Sequence, residues 1–135
     1  MPSMRTAAVS FVKSIKAGVM VGFLAAGANN VWSFCAQLMG SEAPPGFALS
    51  VAVSSLLLCV AAALLYYLLL KTWRKGHQAF VAVVMVLVLA SLYAPFGVQQ
   101  FADGTPVGEG FALLTVPMHL ITGVLGIKVI PKFSR

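Results

Sequence analysis

Acidic side chains are almost missing from this chain: Glu42, Asp103 and Glu109 are the only three in 135 residues. None falls inside a long apolar run, so the paired carboxylates of glycosidase or protease chemistry are missing, and so is the buried glutamate of small multidrug exporters. Cysteine is scarce too, with Cys35 and Cys59 alone. They fall on opposite-running segments at depths that differ by about 10 Å, too far apart for membrane disulfide exchange. Two histidines, one in a polar connection and one in the last apolar run, support neither a bis-histidine haem nor a zinc site, which needs three or four clustered ligands. No cofactor and no metal are expected. Low-complexity sequence and a convincing internal repeat are absent as well, which removes an inverted-repeat transporter.

What remains is apolar. Hydrophobic residues make up 60% of the chain and charged residues 9%, against about 25% charged in a soluble domain. Four runs, at residues 17–39, 46–70, 79–98 and 110–130, reach the roughly 20 residues needed to cross hydrocarbon as helix. Apart from Lys128, whose stem can snorkel to the interface, none holds an ionised group. Stretches such as FVAVVMVLVLA lack the period of two that transmembrane strands carry. The expected fold is all-α, a four-helix membrane bundle forming a single domain over residues 1–135.

The charges give that bundle a direction. Arg5, Lys13 and Lys16 precede the first run, Lys71, Arg74 and Lys75 lie between the second and third, and Lys128, Lys132 and Arg135 close the chain. All three acids fall in the two opposite connections. By the positive-inside rule both termini are expected in the cytoplasm of a cell (inner) membrane. Complete separation argues against a dual-topology protein such as a fluoride-channel-like double barrel. The net charge of +6 is read as topogenic and lipid-facing, so the bilayer is the expected partner and nucleic acid is not.

The first run could be mistaken for a secretory leader, with a basic flank and Ala26-Gly27-Ala28 as an A-x-A-like cleavage site. Apolar sequence continues through VWSFCAQLM, so the run is read as a retained span. SEAPPGF marks the first connection, and QQFADGTPVGEG, with its D-G and T-P turn signals, forms the longest loop and a candidate outer cap.

Polar residues inside the runs cluster by depth. At 1.5 Å per residue, Asn29 and Asn30 lie roughly 18–20 Å above the cytoplasmic end of their helix and His119 about 17 Å, with Ser91 and Cys59 near the same level. Gly22, Ala26, Asn29, Ser33 and Gln37 form one stripe; Thr115, His119, Thr122 and Gly126 form another. Small and polar stripes suit close packing of helix 1 on helix 4. Asn30, rotated by about 100° from Asn29, is expected to face Ser91 or Tyr93 on helix 3. Pro117 takes away the donor for the Leu113 carbonyl and should bend helix 4 beside His119, opening room from outside.

The last run, LLTVPMHLITGVLGIKVIP, and the first, with Asn29, Asn30 and Trp32 after glycine and alanine, resemble a bacterial family of uncharacterised small four-helix membrane proteins. The resemblance spans about residues 14–131. It implies the four-helix architecture and a role for His119, and it carries no established activity.

Three functions stay open. One is a structural or accessory subunit, in which the Gly18/Gly22 pair with Gly123 and Gly126 contacts a second copy or another membrane protein. A second is a binding module for a small apolar or amphipathic molecule at a midplane pocket around His119, Asn30 and Tyr93. The third is a homo-oligomeric conduit. The sequence favours the first, with the midplane residues acting as polar glue, in which an asparagine amide caps His119. It offers no triad for an enzyme.

Overall fold

The computed structural model describes residues 9–101 and 103–135. Arg5 therefore lies outside the described residues. Four helices follow one another: α1 (Phe11–Leu38), α2 (Phe47–Thr72), α3 (Gly76–Gly97) and α4 (Phe111–Ser134). Each is long and apolar enough to cross a membrane. α1 starts six residues before the expected span and α4 runs four beyond it, so Lys13, Lys16 and Lys132 are helical rather than flanking. Helices extend this way because a lysine stem lies along apolar surface while its ammonium stays outside.

The ends of the helices have local causes. α1 stops at Gly40, whose φ of 94° only glycine adopts freely. The Gly40 and Ser41 amides then turn back onto the carbonyls of Gln37 and Ala36, each at 3.0 Å, the paired bonds of a Schellman motif. Gly46 and Gly110, at φ 73° and 71°, precede α2 and α4 in the same way. The long loop folds back at Asp103-Gly104, with Phe101 N–H on the Thr105 carbonyl at 2.9 Å and Val107 N–H on that of Gln99 at 3.0 Å. Asp103 Oδ1 accepts from the Thr105 amide at 2.9 Å, and this contact holds its carboxyl below the usual range. The two loops are joined by Glu42 N–H on the Glu109 carbonyl at 3.1 Å and the Ser41 hydroxyl on that of Gly110 at 3.2 Å.

In cross-section α1 packs on α2 and α4, α3 packs on α4 and α2, and α2 touches α4 across the middle. α1 and α3 occupy opposite corners, with no close approach between their backbones. The closest approach is between α1 and α2. A Cβ added at Gly22 would lie 2.8 Å from Leu56 Cα, and one at Gly18 would lie 2.9 Å from Val60 Cα. The glycine pair is thus spent on α2 of its own chain, not on α4 or on an outer surface. Glycine is used here because only a missing side chain lets two helix backbones come this near.

Two apolar clusters fill the interior. Near the chain termini Val21, Ala25, Cys59, Ala63, Tyr66, Phe80, Val84 and Ile130 pack together; near the two joined loops Ala36, Val51, Leu114 and Met118 do so. Outside, Phe23, Val31, Phe34, Leu57, Val86, Leu89 and Phe96 are exposed around the belt, a surface suited to hydrocarbon rather than water.

These contacts predict opposite outcomes for two glycines five residues apart on one helix. Gly22→Ala should destabilise the bundle by about 1–3 kcal/mol through overpacking. Gly27→Ala, where an added Cβ meets nothing within 4 Å, should be neutral or gain up to about 1 kcal/mol. Denaturant titration of helicity in mixed micelles measures both, and equal effects would contradict the α1–α2 packing.

Candidate functional site

Between the two apolar clusters lies a thin polar layer. Asn29 of α1 is buried at 3% exposure, and its Nδ2 donates to Ser55 Oγ of α2 at 3.1 Å and to Thr122 Oγ1 of α4 at 2.9 Å. One amide therefore ties three helices together, about 12–17 Å in from the loop end of each. Its Oδ1 has no hydrogen-bond partner among the described residues. A buried carbonyl left without a donor is costly in hydrocarbon, where water does not make up the loss.

The layer forms one wall of a cavity of about 380 Å³. α2 contributes Ser50, Ser54, Ser55, Leu58 and Cys59, α3 contributes Val84, Leu87, Val88 and Ser91, and α4 contributes Thr115, Met118, His119, Thr122, Gly123 and Gly126. α2 and α3 meet near the termini, where the rings of Tyr66 and Phe80 stand 5.0 Å apart. Gly76 also packs there, directly against the Leu69 backbone. Further toward the loops their facing side chains line the cavity instead. Its rim residues Ser50, Ser54, Leu58 and Leu87 are all exposed, so the cavity is a cleft opening sideways between α2 and α3. No lining residue is an acid or a permanently charged base.

The expected site residues divide accordingly. Asn29, Ser91, Thr115, His119 and Thr122 reach the cleft, as do Gly123 and Gly126. Gly126 is buried, yet a Cβ there would meet nothing within 4 Å, because it faces the open space; one at Gly123 would strike Val88. Asn30 faces α2 rather than α3, whose backbone stays away from α1. Its amide donates to the Ala26 carbonyl at 3.0 Å and across to that of Ala48 on α2 at 3.3 Å. Tyr93 is 77% exposed on the outer belt, so neither it nor Asn30 lines the cleft. Ser33 is buried but pairs with Gln37 of its own helix, whose Nε2 donates to its hydroxyl at 3.1 Å. The asparagine amide expected on His119 instead reaches Thr122, one turn further along the same face of α4.

Pro117 has a partner on another helix that the sequence does not show. α4 continues as one helix from Phe111 to Ser134, and Pro117 does not line the cleft. The Leu113 carbonyl freed by the proline accepts from Trp32 Nε1 of α1 at 3.1 Å. Trp32 thereby replaces the missing intrahelical bond and pins α4 to α1. Thr115 Oγ1 donates to the Phe111 carbonyl at 2.8 Å in the same turn.

Ser50, Ser54 and Ser55 were not singled out from the sequence. The signal was present: Ser55 is one turn from both Val51 and Cys59, which places its hydroxyl on the inner side of an otherwise apolar helix, and Ser50 and Ser54, four apart, border that side. Among the described residues no group of three histidine, cysteine or acidic side chains is positioned to hold a metal. Comparison with known proteins finds no matching family model, no matching curated protein and no matching solved structure.

The Trp32 contact predicts a specific non-additivity. Trp32→Phe should cost about 0.5–1.5 kcal/mol in the native background beyond any packing loss. In Pro117→Ala, whose restored N–H can bond Leu113, that hydrogen-bond part should vanish. A double-mutant cycle on unfolding free energy reads the difference, and strict additivity would contradict the contact.

Proposed function

We propose that this chain is a multi-pass membrane protein that binds a small amphipathic molecule in the cleft between α2, α3 and α4, beside His119. The observation that carries the reading is the cleft itself: about 380 Å³, walled by the Asn29–Ser55–Thr122 layer. An apolar cavity of about 150 Å³ already holds benzene, and small-molecule sites begin at about 300 Å³. A lining of apolar side chains with a few hydroxyls, one amide and one imidazole suits a ligand with a long apolar part and a compact polar one.

The accessory-subunit reading loses its main support, because Gly18, Gly22 and Gly123 are used inside the chain and Gly126 faces the cleft. No observation favours a conduit.

For orientation, the helix order brings Lys13, Lys16, Lys71, Arg74, Lys75, Lys128, Lys132 and Arg135 to one end and Glu42, Asp103 and Glu109 to the other. The basic end, with both termini, faces the cytoplasm of a bacterial inner membrane in this proposal. A fluorescent protein fused after Arg135 should fluoresce and an alkaline phosphatase fused there should be inactive; the reverse pattern would overturn the orientation.

The ligand is tested by native mass spectrometry of protein released gently from its own membrane. Wild-type chain should carry one small molecule per chain. Gly126→Leu, which fills the cleft, should lose it while keeping its helicity. A bare wild-type chain, or equal loading of both, would refute the binding reading.

A further inference from the structure

The polar and apolar linings of the cleft lie at different depths. Asn29 donates to both Ser55 and Thr122, which fixes these residues of α2 and α4 at one level. The two helices run the same way from there, so His119 stands about 4.5 Å nearer the loops, between Ser54 at about 1.5 Å and Ser50 at about 7.5 Å. α3 runs the other way, and the meeting of Gly123 with Val88 sets its register. Ser91 then falls within about 2 Å of the height of His119. Polar side chains from three helices thus line the loop half of the cleft together. Toward the termini the lining is Leu58, Cys59, Ala62, Val84 and Gly126, with a thiol as its most polar side chain.

The polar groups are open to a ligand. His119 and Ser91 are partly exposed, Ser50 and Ser54 are exposed at the rim, and none of their polar atoms is among those sealed inside without a partner. The Ser91 hydroxyl donates to the Val88 carbonyl at 2.7 Å. Among the described residues, the His119 imidazole and the Ser50 and Ser54 hydroxyls make no hydrogen bond within the protein. In hydrocarbon each of these is an unmet requirement. A neutral imidazole carries one N–H and one bare nitrogen in either tautomer, so the requirement is the same whichever nitrogen holds the proton.

The geometry points to a single-chain carboxylic acid, a fatty acid, bound with its head toward the loops and its tail toward the termini. This rests on the cleft being a binding site, as proposed above, and adds the class of ligand. The acid enters from the bilayer in its neutral form between α2 and α3. Its O–H donates to the bare nitrogen of His119, and its second oxygen accepts from a hydroxyl of Ser50 or Ser54. The proton stays within the bond between carboxyl oxygen and ring nitrogen, so the cleft takes up no net charge. A lining without acids or permanent cations requires that balance. An alcohol brings one oxygen to groups on two helices, an ester brings no donor for the bare nitrogen, and an ammonium meets no carboxylate. From Thr115 to Gly126 the cleft follows α4 for about 16 Å, which suits a straight chain.

The test uses the full chain in phosphatidylcholine nanodiscs, with dodecanoic acid and methyl dodecanoate as probes and retention per chain read by native mass spectrometry. His119→Leu, which keeps an apolar side chain of similar size, should weaken retention of the acid about tenfold and of the ester less than about threefold, the difference between a charge-assisted hydrogen bond and a neutral one. Ser54→Ala, at an exposed position, should weaken the acid about threefold. In chain carrying isotope-labelled histidine, the ring-nitrogen resonances that vanish in His119→Leu should move further with the acid than with the ester. Leu87→Trp, which blocks the mouth, should exclude both probes, and helicity is measured for every variant. If His119→Leu weakens acid and ester by the same factor while Leu87→Trp still excludes both, the head-group assignment is wrong and the cleft reading stands. If wild-type chain retains neither probe, or Leu87→Trp retains both as wild type does, the cleft reading fails and this inference with it.

Discussion

Hydrocarbon supplies no hydrogen bonds, so a polar atom inside this bundle is either paired within the protein or left at a cost. Most of the architecture follows from how that constraint is met. The asparagine at position 29 meets two thirds of it, giving one hydrogen to α2 and one to α4. The Leu113 carbonyl, left bare by Pro117, is met by the Trp32 indole. Both bonds run from α1, the most buried of the four helices, and together they hold α4 against it at two levels. The unmet third, the Asn29 carbonyl, stays buried without a partner in the wall of the cleft, and the functional reading grows from that cleft.

Packing explains why the cleft sits where it does. Glycines at 18 and 22 bring α1 against α2, and an apolar cluster around Tyr66, Phe80 and Ile130 closes the end near the termini. Nearer the loops a smaller cluster of Ala36, Val51, Leu114 and Met118 joins α1, α2 and α4 and leaves α3 out. α3 is therefore anchored at one end only by large side chains. Further along, small residues such as Gly123 and Ser91 line its neighbourhood, and Gly126 contributes no side chain to the space. The polar layer falls in the gap between the two clusters. An amide there interrupts no apolar contact in either.

Much of this was legible in the sequence. Hydropathy and the lack of period-two alternation gave four helices, and the spacing of Gly22, Ala26, Asn29 and Ser33 identified the buried stripe of α1, while Gln37, placed on the same stripe, is exposed. The depth estimate put Asn29, His119 and Cys59 at one level, and all three line the cleft. Neighbours were harder to read. Periodicity gives the face of a helix but not which helix it meets, so Asn30 and Tyr93 were paired although α1 and α3 occupy opposite corners. The same blindness gave the glycine pair to a second copy or another membrane protein, whereas it meets α2 of its own chain. Pro117 was read through its own helix alone, and the indole that compensates for it comes from a residue 85 positions earlier. Long-range partners of this kind leave no local signature.

The most direct measurement of the central claim is a high-resolution density map of the chain in a lipid nanodisc. The account predicts α2 and α3 held apart between Ser54 and Leu87, with elongated density in the cleft beside His119. A map in which Leu58 and Leu87 close on each other, with no cleft beside His119, would contradict it.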